Sequence, residues 1–88
     1  MSEIDIGDHV HHSPSNEDWI VARVDKDYND LYPAGWPCSR AQISDCVLIK
    51  KASKEKRTEF IKEIADSNNG NDPRVSNARY LIKTENIV

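Results

Sequence analysis

Trp19-Ile20-Val21-Ala22-Arg23-Val24 is the stretch on which the fold turns. It is rich in β-branched and aromatic residues, and its alternation sets Ile20, Ala22 and Val24 on one face and Trp19, Val21 and Arg23 on the other, the period of a strand. Upstream, Ser13-Pro14-Ser15-Asn16 supplies turn chemistry. Before that turn Ile4, Ile6 and Val10 stand two or four apart, with Asp5, Asp8, His9 and His11 among the polar positions. This is a first strand interrupted at Gly7, where Gly7-Asp8 permits a sharp bend or bulge. Downstream, Asp25-Lys26-Asp27 closes the second strand as a polar turn, and 28–36 reads as a third, weaker one. There Pro33 removes a ladder donor and Gly35 loosens the backbone, which predicts an edge or a bulge. Residues 40–43 make a fourth strand, Ser44-Asp45 a tight turn, and Cys46-Val47-Leu48-Ile49 a fifth.

Five short strands within the first 50 residues fit a small barrel, because a flat isolated sheet would leave two adhesive edges. Its predicted core is Ile6, Val10, Ile20, Ala22, Val24, Ile43, Cys46 and Leu48. After residue 50 the period changes. Ser53 can cap a helix whose apolar face is Phe60, Ile61, Ile64 and Ala65 and which ends at Asn68-Asn69-Gly70. Asp72 followed by Pro73 is a matched cap and first helical residue, and Val75, Ala78 and Ile82 then share a face. The spacing predicts helices over 54–67 and 73–84, packed on the barrel as a hairpin because neither is long enough to persist alone. The expected organisation is a barrel over 1–50 and a helical tail over 51–88.

Composition bounds the function. The 88 residues suffice for one core, and with 38% apolar and 31% charged residues the chain can fold around it. No apolar run approaches a membrane span, and Met1-Ser2-Glu3-Ile4-Asp5 lacks the pattern of a secretory signal, so a cytoplasmic protein without membrane attachment is expected. Cys38 and Cys46 are too few for a disulfide framework and are read as free thiols. Residues 1–49 carry nine acids against three bases, a balance of −6, whereas 50–88 carry nine bases against six acids, a balance of +3. The tail is therefore expected to lie against the barrel electrostatically.

The ordered pieces Ile6-Gly7-Asp8-His9-Val10, Trp19-Ile20-Val21-Ala22-Arg23-Val24, Gly35-Trp36-Pro37 and Ile43-Ser44-Asp45-Cys46-Val47-Leu48 resemble a group of small uncharacterised proteins encoded by bacteriophages and prophages. The opening Gly-Asp-x-Val is similar to KOW, Tudor and other SH3-like barrels. The resemblance covers half to two-thirds of the chain. It implies a mainly β fold with a helical tail (α+β), a five-stranded SH3-like β-barrel followed by a short C-terminal helical hairpin, in a phage or prophage accessory protein. It implies no activity.

His9 and His11 share a strand face and could join Cys38 and Cys46 around zinc, but local zinc sites use closer cysteine spacing, so no metal or other cofactor is expected. No serine or cysteine stands in an elbow or beside a base, and no phosphate-cradling loop occurs, so no enzyme is expected. The aromatics carry the positive reading. Trp19, Tyr28, Tyr32 and Trp36, with Asp30 and Asp45 as polar neighbours, lie in or beside the second and third strands. Aromatic rings give large contact area at low entropic cost, and an acidic rim suits a cationic or peptide ligand. For each tryptophan the other reading is core filling. The expected function is a non-catalytic binding module that engages a bacterial or phage protein. The alternative is nucleic-acid or nucleotide binding through the barrel or through the basic cluster Lys50, Lys51, Lys54, Lys56 and Arg57, against which the acidity of the barrel argues.

Overall fold

The computed structural model describes residues 4–34, 40–68 and 70–87. Five strands, β1 (His9–His12), β2 (Glu17–Asp25), β3 (Asp30–Pro33), β4 (Ala41–Gln42) and β5 (Cys46–Lys50), precede two helices, α1 (Lys54–Ala65) and α2 (Pro73–Thr84). All strand pairs are antiparallel, in the order β4-β3-β2-β1-β5. The fold is thus mixed α+β, one five-stranded sheet with two helices. The sheet is open, since β4 and β5 end it and no ladder joins them among the described residues. A one-turn 3-10 helix at Ile43–Asp45 stands where a tight turn was expected.

β2 is the longest strand and serves two partners. Its start pairs with β1 (Val10 opposite Trp19) and its end with β3 (Val24 opposite Leu31). Between Val21 and Arg23 the register shifts, so Ala22 is an extra residue and the inward face changes parity. Before the bulge Trp19 and Val21 point into a core with Ile4, Val10, Leu31 and Ala41, and after it Val24 packs against the same core. This corrects the expected core. Ile20 is 39% exposed. Ala22 is buried, but it lines a space bounded by Phe60, Ile64 and Val75 of the helices. Ile6 likewise belongs to a second core, with Ile61 and Ala78. Alternation finds two faces without saying which is inward when both carry apolar side chains. Val10 is fully buried as expected, and Ile43, Cys46 and Leu48 pack against the first core from its margin. Pro33 lies beyond the two residues of β3 that β4 covers, so its missing N–H interrupts no ladder there.

The helices begin and end as local chemistry dictates. Ser53 Oγ accepts the Lys56 N–H, and Asp72 accepts the Arg74 N–H with Pro73 as first helical residue. Asn86, at a φ of 57°, lets the Ile87 N–H reach the Ile82 carbonyl and closes α2 with a left-handed cap. At the other end of the hairpin Arg79 caps α1 by donating to the Ala65 and Ser67 carbonyls.

A charged seam joins hairpin to sheet. Gly7 sits at a φ of 89°, and a Cβ there would come within 3.2 Å of the Ala52 Cβ. Glycine therefore serves both the turn and the close passage of the chain entering α1. Asp8, 1% exposed, accepts from the Asp5 and Ala52 N–H groups and from Lys51 Nζ, each at 2.8 Å. Arg57 donates to Asp5 at 2.9 Å and, through both terminal nitrogens, to Glu85 at 2.7 and 3.0 Å. Arg74 holds Asp72 and donates to the Pro33 carbonyl at 2.8 Å.

Candidate functional site

The β1–β2 hairpin turns through Ser13-Pro14-Ser15-Asn16, with Asn16 at a φ of 56° and the Ser13 N–H donating to the Asp45 carbonyl at 3.0 Å. Counting outward from that turn sets His12 opposite Glu17 and Val10 opposite Trp19. His12 and Trp19 are thus diagonal neighbours on the inner face, a placement in which long or aromatic side chains meet. Their rings stack, with centroids 4.2 Å apart and planes 16° from parallel. His12 Nδ1 is fixed from the other side by Ser15 Oγ at 2.7 Å. The indole is only 8% exposed, and its Nε1–H has no hydrogen-bond partner among the described residues. A buried donor without an acceptor is costly, so this one calls for an explanation.

Trp19 and His12 line a cavity of about 470 Å³ between the hairpin and β4, whose other polar walls are Glu17, Arg40, Gln42 and Asp45. It lies on the side where the sheet does not close. Arg40 is held at its rim by Asp30 at 3.6 Å, while the Glu17 and Asp45 carboxylates have no ion-pair partner among the described residues. A site with an aromatic floor, two carboxylates that have no ion-pair partner among the described residues and one cation can bind and orient a polar segment. The nearby Cys46 thiol is pushed up by burial first and by the Asp45 carboxylate second, which leaves it a neutral thiol in contact with the Gln42 carbonyl at 3.6 Å.

The residues expected to form one aromatic edge divide among three places. Trp19 and Asp45 line the cavity, and Asp30 acts on it through Arg40. Tyr32 lies on the opposite face of β3 from Leu31, opposite Arg23 in register, with the guanidinium 5.3 Å from its ring centre. Tyr28 is exposed in the β2–β3 turn, where Asp25 accepts its N–H. A single surface of Trp19, Tyr28 and Tyr32 is therefore not formed, because Tyr32 alternates to the outer face of β3 and Tyr28 stands in the turn beyond it. Trp36 and Cys38 lie outside the described residues. The weighed histidine and cysteine set is divided as well. His11 is on the outer face and bonded to Asp18 at 2.7 Å, whereas Cys46 is opposite His12 and packs on the inner core. His12, Glu17, Arg40 and Gln42 are additions to the site. His12 was within reach of the sequence, since pairing outward from Ser13-Pro14-Ser15-Asn16 already brings it to Trp19.

No family model matches the chain, and no curated protein or solved structure is significantly similar to it. Among the described residues no helix is long and apolar enough to cross a membrane.

Proposed function

We propose that this protein is a non-catalytic binding module that receives a short segment of a bacterial or phage protein in the cavity above Trp19. The observation that carries this reading is the buried, stacked indole whose N–H has no acceptor among the described residues. That nitrogen is closed off from water in the free protein, so a partner's main-chain carbonyl would reach it only as the rim gives way, while Glu17 and Asp45 would meet a basic side chain there. The sheet is, in the same reading, a partly open SH3-like barrel. The one-turn link at Ile43–Asp45 keeps β4 and β5 near one another, and residues of both edges (Ala41, Cys46 and Leu48) pack on a single core. The phage or prophage context, and with it a bacterial cytoplasm, rests on the sequence resemblance.

The test is a capture experiment from bacterial lysate at low and moderate salt, with and without nuclease, followed by titration of the captured protein against variants. Binding should survive nuclease, weaken with Arg40→Ala and Glu17→Lys, and be indifferent to Lys54→Ala and Lys56→Ala. Binding that disappears with nuclease, falls steeply with salt and depends on Lys54 and Lys56 assigns the function to nucleic acid and the helical tail instead.

A further inference from the structure

The outer edge of β5 is the longest unpaired strand edge among the described residues, since β4 at the other margin has two residues. One side of β5 is bonded to β1, and the other has no partner among the described residues. The strand is Cys46-Val47-Leu48-Ile49-Lys50, and Val47 and Ile49 are 59% and 50% exposed. Soluble proteins usually blunt such an edge with inward charges or a cover, and this strand has no charge before Lys50.

We propose that the free edge of β5 pairs antiparallel with the same edge of a second copy, centred on Leu48. The sequence of the strand is complementary to itself in that register. Each Val47 comes opposite the other copy's Ile49, so the two exposed apolar side chains of one chain cover those of the other. The acidic start of each strand, at Asp45, comes near the basic end of its mate, at Lys50, whereas parallel pairing would set like ends together. The contact is isologous and uses both edges, so it closes as a dimer rather than growing into a fibre. The register shift against β1 beside His9 and Val10 leaves Ile49 as an extra residue and bends the strand, which confines the pairing to this short segment. A five-residue edge buries far less than a standard interface, so the dimer is weak and concentration dependent. Of the residues that line the Trp19 cavity it uses Asp45 alone.

Sedimentation between micromolar and millimolar protein tests this, together with amide exchange of residues 46–50. The native chain should pass from monomer to dimer over that range, with slowed exchange confined to β5. Val47→Lys with Ile49→Lys opposes like charges twice across the two-fold and should weaken association at least about tenfold. Val47→Glu with Ile49→Lys opposes unlike charges in the proposed register and should restore it. Both sites are exposed, and circular dichroism of each variant checks that the fold is kept. A native chain that stays monomeric at millimolar concentration overturns the proposal. So does association that the double-lysine variant leaves unchanged, or a Glu/Lys variant that remains monomeric. Arg40→Ala should not move self-association, so failure here is separable from failure of the cavity reading.

Discussion

At the seam between sheet and helices the carboxylates of Asp5, Asp8 and Glu85 each meet a cation, whereas at the hairpin rim those of Glu17 and Asp45 meet none among the described residues. The two regions share composition, acids and bases beside an apolar floor. They differ in what burial has done. Asp8 is almost fully out of water and can remain there only because three donors converge on it. Glu17 is exposed, and water satisfies it until something else does. Charges at the seam hold the fold, and those at the rim are left to solvent.

Replacing a residue of each kind gives the widest contrast. Asp8→Ala strips acceptors from two main-chain N–H groups and from Lys51 and should cost about 3 kcal/mol, the lower end of the range for breaking a buried pair because Lys51 can turn to solvent. Glu17→Ala should stay within about 0.5 kcal/mol, as exposed substitutions do. Urea unfolding compares the two directly, and equal effects would erase the distinction between seam and rim.

Gly7→Ala comes next. It forces a side chain into the left-handed region and against Ala52, and it should cost about 1–2 kcal/mol. A Gly7→Ala chain as stable as the native one would mean that the close passage into α1 yields freely.

Acid should loosen the same seam. Accepting from Arg57 holds the Glu85 carboxyl below its ordinary value near 4.5, and accepting from Arg74 holds Asp72 below its own near 3.8. A carboxyl lowered in the folded state contributes stability that is complete above its ordinary value and is lost as pH falls through the lowered one. Stability should therefore be level near neutrality and decline below about pH 4.5. Glu85→Gln should flatten part of that decline. Overlapping profiles for the native chain and Glu85→Gln would show that the Arg57 contact adds nothing.

The seam and the rim were not equally legible in sequence. The helix caps at Ser53 and Asp72 are local, so their chemistry is written within four residues. α1 stops at Ala65 rather than at 67, and its last carbonyl is taken by Arg79, fourteen residues away. The charge asymmetry about residue 50 indicated that tail and sheet attract, but pairing Asp8 with Lys51 requires the fold that joins positions 43 residues apart. Strand alternation in β2 was plain, whereas its inward face was not, since the bulge at Ala22 reverses parity midway. Trp19 is evident from residue type alone, whereas His12 emerges only from pairing across the turn, which sets it diagonal to the indole.

A small effect on folding should accompany a clear effect on binding at Trp19. Trp19→Phe keeps an aromatic ring against His12 and removes the unpartnered N–H. The smaller ring leaves space that costs about 1 kcal/mol, and deleting a buried donor without an acceptor relieves a comparable amount. The two changes oppose, so the unfolding midpoint should move by less than about 1 kcal/mol in equivalent stability. Partner affinity has no such offset. If a partner carbonyl accepts that N–H, its loss should weaken binding about two- to tenfold, the value of one hydrogen bond. Calorimetric titration alongside urea unfolding separates the cases. Affinity unchanged by Trp19→Phe would mean that the indole nitrogen meets no ligand. A loss of several kcal/mol in the free protein would return Trp19 to the core as a packing residue, leaving Arg40 and Glu17 to define the rim without it.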